Sequence, residues 1–201
     1  MSWRPAALCL LAACRIGFDP LASDANVDDA SLDDANLDDA LRVTCPPSYT
    51  VTLPSTASRY LVTTTTLLLT DHHTLCAQHL PGATHLVALD SLTELMELDA
   101  VLQLSPPPPL GRYYVGAIQR ESQPAVDASW LTYTGEPVLP ELWRSGEPND
   151  LDDVEDGAES NAVVDDNGRL VDVSGTQAYG AVCECDGRAI ATEVSSLLGG
   201  G

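Results

Sequence analysis

Four cysteines placed at the two ends of one long stretch constrain this chain more than any other feature: Cys45 and Cys76 early, Cys183 and Cys185 late. Two more, Cys9 and Cys14, lie in an N-terminal segment that reads as an export signal. Arg4 supplies its positive start, and 6–13 is a short apolar run, too brief to cross a bilayer as a helix. Export delivers the other four to an oxidising compartment, where thiols pair. Four cysteines allow three connectivities, and the count alone leaves all of them open.

Leu11-Ala12-Ala13-Cys14 resembles the bacterial lipobox, in which the cysteine is acylated and becomes the new N-terminus. The expectation is a signal peptide over 1–14 with Cys14 as the lipidation site, and a lipid-anchored protein at the cell envelope or outer membrane. Acyl chains would be its only membrane hold, through their buried methylenes; plain secretion is the alternative. Residues 15–42 read as a disordered acidic linker, with eight Asp between Asp19 and Asp39. The units 25–29, 30–34 and 35–39 resemble pentapeptide repeats. Three are too few to bury a core by stacking, and their charge favours an extended tether. The whole chain carries a formal charge of −21, with nine Arg and no Lys. That excludes nucleic acid as a partner and electrostatic docking on anionic lipid.

A folded domain is expected over 45–187. Cys45-Pro46-Pro47-Ser48-Tyr49 opens it, and 58–62 reads as the return strand of a hairpin. Thr70 is placed to cap a helix from 71 to about 80, stopped by Pro81-Gly82. The run 85–89 reads as a strand. Ser91 with Glu94 forms a capping box for a second helix with Leu92, Leu95, Met96, Leu98, Val101 and Leu102 mostly on one face. Pro106 to Pro109 end it as a stiff connection. Strands follow over 113–118 and, alternating, 130–133. The region 135–156 is long, irregular and acidic, and such loops are functional or disordered. Three short strands close the domain over 161–164, 170–173 and 179–184, and the tail 188–201 reads as disordered.

Within that loop stands Trp143-Arg144-Ser145-Gly146-Glu147-Pro148-Asn149-Asp150, followed by Asp165-Asp166-Asn167-Gly168 and Val182-Cys183-Glu184-Cys185. These landmarks resemble the C-type lectin-like domain, an α+β fold of two helices, a mixed antiparallel sheet and a long irregular loop. Tyr114-Val115-Gly116-Ala117 resembles the family's Trp-Ile-Gly-Leu strand, and Trp130, Gly135, Trp143 and Gly146 fall in order. The resemblance implies a disulfide between Cys76 and Cys183, leaving Cys45 for Cys185. It places the family's hairpin cysteine near Arg59 and its loop disulfide at Asn161 and Gly175; this chain lacks all three. It also implies that Trp143 is a core residue.

The resemblance further implies a calcium site at Glu147, Asn149, Glu159 and Asp172, with Glu147 and Asn149 also bonding a sugar of mannose- or glucose-like stereochemistry. Carboxylate and amide oxygens are the hard donors Ca²⁺ selects, six to eight at a time. The family's Trp-Asn-Asp strand motif departs here to Leu170-Val171-Asp172, and a valine offers no donor. Asp150, Asp152 or Asp153 are candidates to fill the gap. Asp165-Asp166-Asn167-Gly168 reads better as a hairpin turn than as a ligand. A glycan or a protein is the expected ligand; a calcium-independent interaction or structural module is the alternative. His72, His73, Cys76 and His79 could suit zinc or a thiol nucleophile, but pairing consumes Cys76, and the histidines then read as surface positions. No nucleophile elbow, phosphate loop or His-Glu-x-x-His motif points to an enzyme.

Overall fold

The computed structural model describes residues 43–105, 108, 111–120, 125–151 and 157–198. The expected signal peptide, Cys14, the linker, Asp152, Asp153 and all of the proline run but Pro108 lie outside the described residues. Among those residues no helix is long and apolar enough to cross a membrane.

The chain enters as a hairpin, β1 (Val51–Thr52) against β2 (Arg59–Leu67). β2 runs past Val62 because four threonines follow, and β-branched residues favour extended backbone. Helix α1 (Leu69–His79) starts immediately after it. Thr70 is therefore not the cap; Leu68 stands in that position, with no side-chain hydrogen bond. Burial of Leu69 fixes the start instead. The helix ends at Leu80, before Pro81, whose ring cannot continue it. Thr84 opens β3 (Thr84–Leu86), and its hydroxyl donates to the Cys76 carbonyl at 2.7 Å.

Helix α2 (Leu92–Leu104) is capped by Ser91, whose hydroxyl accepts from Glu94 N–H at 3.1 Å. The box is only half closed. The Glu94 carboxylate turns to Asp90 N–H at 2.8 Å and to the Tyr60 hydroxyl at 2.7 Å. Leu95, Leu98 and Leu102 are buried, whereas Met96 is 58 % exposed, so the apolar face is narrower than its sequence pattern.

Strands β4 (Tyr113–Gln119), β5 (Trp130–Thr132), β6 (Asn161–Val164), β7 (Leu170–Val173) and β8 (Tyr179–Cys185) complete the sheet. Its order is β1-β2-β8-β4-β6-β7, with β3 on β8 and β5 on β4. β4 and β8 are parallel and every other pair is antiparallel. β5 is buried at all three positions rather than alternating. The sheet separates two cores, as the two-residue period of a strand requires. Val115, Val164, Leu170 and Val182 meet α2 on one side. Tyr114, Val163, Val171 and Cys183 lie with Leu69 and Cys76 of α1 on the other. Gly116 has to be glycine, because a Cβ there would stand 2.5 Å from the Leu86 carbonyl oxygen.

Cys76 is bonded to Cys183 and Cys45 to Cys185, with Cα atoms 5.4 and 5.9 Å apart. Both bridges land on one face of β8, two residues apart. Arg59 faces Cys185 across β2 and β8. Asn161 and Gly175 are also adjacent: a Cβ on Gly175 would lie 2.9 Å from the Asn161 amide nitrogen.

Two expectations are corrected here. The tail after Gly187 is not wholly disordered. It forms α3 (Thr192–Leu197), anchored by fully buried Val194 and by Ala191 N–H on the Tyr133 carbonyl at 2.9 Å. Nor are the α1 histidines all surface residues. His72 is fully buried, its Nε2 2.9 Å from the Tyr179 carbonyl, because α1 lies flat on the sheet.

β7 ends the sheet, yet its outer edge is covered. Trp143 forms a bridge to Leu170, and Arg144 N–H donates to the Leu170 carbonyl at 2.9 Å. This contact carries the long loop alongside β7.

Candidate functional site

β6 and β7 are joined by Asp165-Asp166-Asn167-Gly168, which is the hairpin turn its composition suggests. The Asp165 carboxylate accepts from the backbone of Asn167 at 3.0 Å and of Arg169 at 3.2 Å. Gly168 has φ +68°, a left-handed conformation that favours glycine, and a Cβ there would meet the Asp99 carboxyl carbon of α2 at 2.5 Å, so that carboxyl group would have to move. Burial alone would raise the Asp165 pKa. The Asn167 and Arg169 hydrogen bonds and the Arg144 guanidinium outweigh it and hold the carboxyl below its usual range.

One turn of chain later, Asp172 shares a sheet face with Leu170, on the side that the loop covers. Val171 points into the opposite core. It therefore gives the site neither a donor nor a contact. Asp172 Oδ2 accepts from the backbone of Asn149 at 2.9 Å and of Asp150 at 2.6 Å. Its Oδ1 is buried and has no hydrogen-bond partner among the described residues.

The Glu147–Pro148 peptide is cis. Asn149 Nδ2 donates to Glu147 Oε2 at 2.6 Å, and Asn149 Oδ1 accepts from Leu151 N–H at 2.8 Å. Buried Asp150 accepts from the backbone of Glu159 at 2.7 Å and of Gly157 at 3.1 Å, folding the far end of the loop back. Glu147, Asn149 and Asp172 thus meet at one place, and Glu159 reaches it through Asp150.

The charges are crowded. Burial and the adjacent Asp172 carboxyl push Glu147 up to about 7. Burial, then the Asp172 and Asp150 charges, raise Glu159 as well. Arg144 answers part of this charge, pairing with Glu147 and, at 2.9 Å, with Asp165. The carboxylate oxygens do not form a closed cage; among the described residues only His85, Glu184 and Asp186 bring three ligand atoms within 4.8 Å of one another. The loop residues nonetheless suit calcium. Their donors are all oxygen, and Asp172 Oδ1 is a buried acceptor with nothing to accept from.

The His85 cluster went unread in the sequence. His85 Nδ1 lies 2.7 Å from the Leu86 carbonyl and Nε2 lies 3.1 Å from Asp186 Oδ1. Both ring nitrogens face acceptors, an arrangement that favours the doubly protonated ring. Burial opposes this charge, but the Asp186 carboxylate and the Leu86 carbonyl overcome it and raise the His85 pKa. Glu184, opposite His85 in register, is pushed up to about 7 by burial first and by Asp186 next. Arg188 closes the cluster on Asp90 at 2.9 Å and on Asp186. The available signal was a histidine and a glutamate inside two otherwise apolar strands.

No family model matches the chain, and no curated protein does. Solved structures do match. The carbohydrate-recognition domain of the mouse scavenger receptor C-type lectin superposes with a TM-score of 0.56 at 19 % identity, covering 71 % of this chain and 98 % of that one. The fold is that of a C-type lectin domain. The cow CD23 carbohydrate-recognition domain, solved in the presence of a GlcNAc2Man3 oligosaccharide, gives 0.53 at 19 %, covering 74 % of this chain and 98 % of its own. Ovocleidin-17, a major protein of the calcified eggshell layer of Gallus gallus, gives 0.55 at 19 %, with 71 % and 99 % covered. In this fold the long loop meets β7 at Leu170 and holds Glu147 and Asn149 beside Asp172.

Proposed function

We propose that the C-type lectin-like domain is a non-enzymatic binding module that recognises a glycan with its long loop, with calcium held by Glu147, Asn149, Glu159 and Asp172. The observation that supports this most is Asp172: it organises the loop backbone through one carboxylate oxygen and leaves the other buried and bare. The cow CD23 domain of the same fold was solved with an oligosaccharide. Calcium would supply the positive charge that draws vicinal hydroxyls. Glu147 would accept from one hydroxyl, and Asn149 would donate to its neighbour.

A proton on Glu147 competes with a cation. With its pKa raised from 4.5 to about 7, Glu147 contributes stability that is fully present below about pH 4.5 and is lost as pH rises through about 7. A cation restores it on the alkaline side. The expected result is a rise in melting temperature of about 5–10 °C in calcium relative to chelator at pH 8. The rise is smaller at pH 6 and absent in Asp172→Asn. A midpoint indifferent to chelator at pH 8 would sink the calcium reading.

Arg144 favours a second reading. Its guanidinium already neutralises Glu147 and Asp165, which suits a calcium-independent module for a protein ligand. A melting midpoint that neither calcium nor chelator moves would support that module.

The proposal places the domain at the cell envelope, carried by a lipid on Cys14. The motif Leu11-Ala12-Ala13-Cys14 supports this. Labelled palmitate should enter the protein and be lost in Cys14→Ala; incorporation that survives the substitution contradicts the anchor.

A further inference from the structure

Beside the loop lies a groove of about 440 Å³ that the calcium and sugar contacts leave unused. Its volume falls in the roughly 300–1,000 Å³ range of small-molecule sites. Trp130, Val138 and Trp143 line it, together with Asp127, Glu147 and Pro148. Glu147 and Pro148 belong to the proposed sugar site, so the groove continues that site. Trp143, expected in the core, is half-buried: it packs against the core cluster and lies edge-on to Trp130, with ring centroids 4.7 Å apart. The Trp130 indole N–H is already bonded to the Val126 carbonyl at 2.9 Å. That of Trp143 has no partner among the described residues.

We infer that this groove holds the second pyranose ring of a neutral oligosaccharide whose first ring sits at Glu147 and Asn149. The inference rests on the glycan reading above. An indole offers an apolar face to the C–H side of a sugar ring and an N–H to a ring hydroxyl. Asp127 and Glu147 accept from hydroxyls and repel carboxylated or sulfated sugars. Arg120, which also lines the groove, is already paired with Glu193 of α3. The net charge of −21 disfavours acidic glycans further.

The test titrates the full chain, isotopically labelled and in excess calcium, with mannose and with mannotriose. Backbone amides of Asn149 and Asp150 and the Trp143 indole N–H report the two places separately. With mannotriose all three signals are expected to move, at an affinity about tenfold above that of mannose. Asp127→Trp, which narrows the groove from an exposed position, should bring that affinity ratio close to one. Trp143→Phe keeps an aromatic ring without the N–H and should retain part of the gain. Movement of Asn149 and Asp150 alone, with no gain for the trisaccharide, overturns the groove and leaves the glycan reading standing. Movement of Trp143 alone overturns the shared ligand. No movement anywhere overturns both readings.

Discussion

Replacing Cys76 and Cys183 together by alanine should lower the unfolding free energy by about 3–5 kcal/mol, measured by urea unfolding at neutral pH. The two residues are 107 apart in sequence, so the bridge removes much of the freedom of the unfolded chain. That contribution grows only with the logarithm of the loop. The Cys45–Cys185 bridge, which spans 140 residues, therefore gains only a few tenths of a kcal/mol more from chain entropy. Burial separates the two. Cys76 and Cys183 are fully buried between α1 and the sheet, so their truncation also opens space in a packed core. Cys45 is only half-buried, at the start of the described chain. The Cys76/Cys183 double variant should therefore be the less stable of the two pairs. A loss below about 1 kcal/mol would contradict the chain-entropy argument.

Removing the His85 charge should cost about 3–5 kcal/mol. His85→Leu leaves Glu184 and Asp186 facing each other in the interior with only Arg188 between them and solvent. Glu184 is buried, and Arg188 lies 3.9 Å from it. Asp186→Asn is the milder change, since its amide oxygen still accepts from Nε2. The double variant should cost clearly less than the sum of the singles, because each carboxylate is harmful chiefly when its counter-charge is gone. The pH dependence has a fixed sign. A histidine whose native pKa is raised contributes stability that is complete below about 6.5 and fades as pH rises through the raised value. His85→Leu should lose the histidine's share of that decline and keep the share that comes from Glu184, whose pKa burial also raises. Additive single effects would show that the cluster is not an ion pair.

The strands, both helices and the turn at Gly168 were legible because local chemistry and tertiary demand agree there. Ser91 caps, valines alternate between two cores, and Gly168 takes a left-handed conformation that favours glycine. Thr70 misled because a good cap one residue inside the helix cannot compete with a strand that runs directly into it. The glycine-rich end misled in the same way: composition hid Val194, one buried side chain that holds a short helix in place. Glu147, Asn149 and Asp172 could be named from the sequence because they match motif positions of the family the chain resembles. Arg144 could not. Its partner Asp165 lies across a hairpin turn whose position relative to the loop only the assembled sheet determines. His85 and Glu184 were silent for a related reason, because nothing near them in sequence shows that each is the other's neighbour.

The loop that carries the proposed binding residues also meets the sheet's last strand at Leu170. Trp143 and Arg144 occupy β7 where another chain could otherwise add itself by backbone pairing. Recognition and protection from self-association are therefore one mechanical element. On the proposed function, a ligand that settles into the loop as it stands would keep the Leu170 contact, whereas one that pries the loop outward would free the Leu170 carbonyl to pair with the next copy.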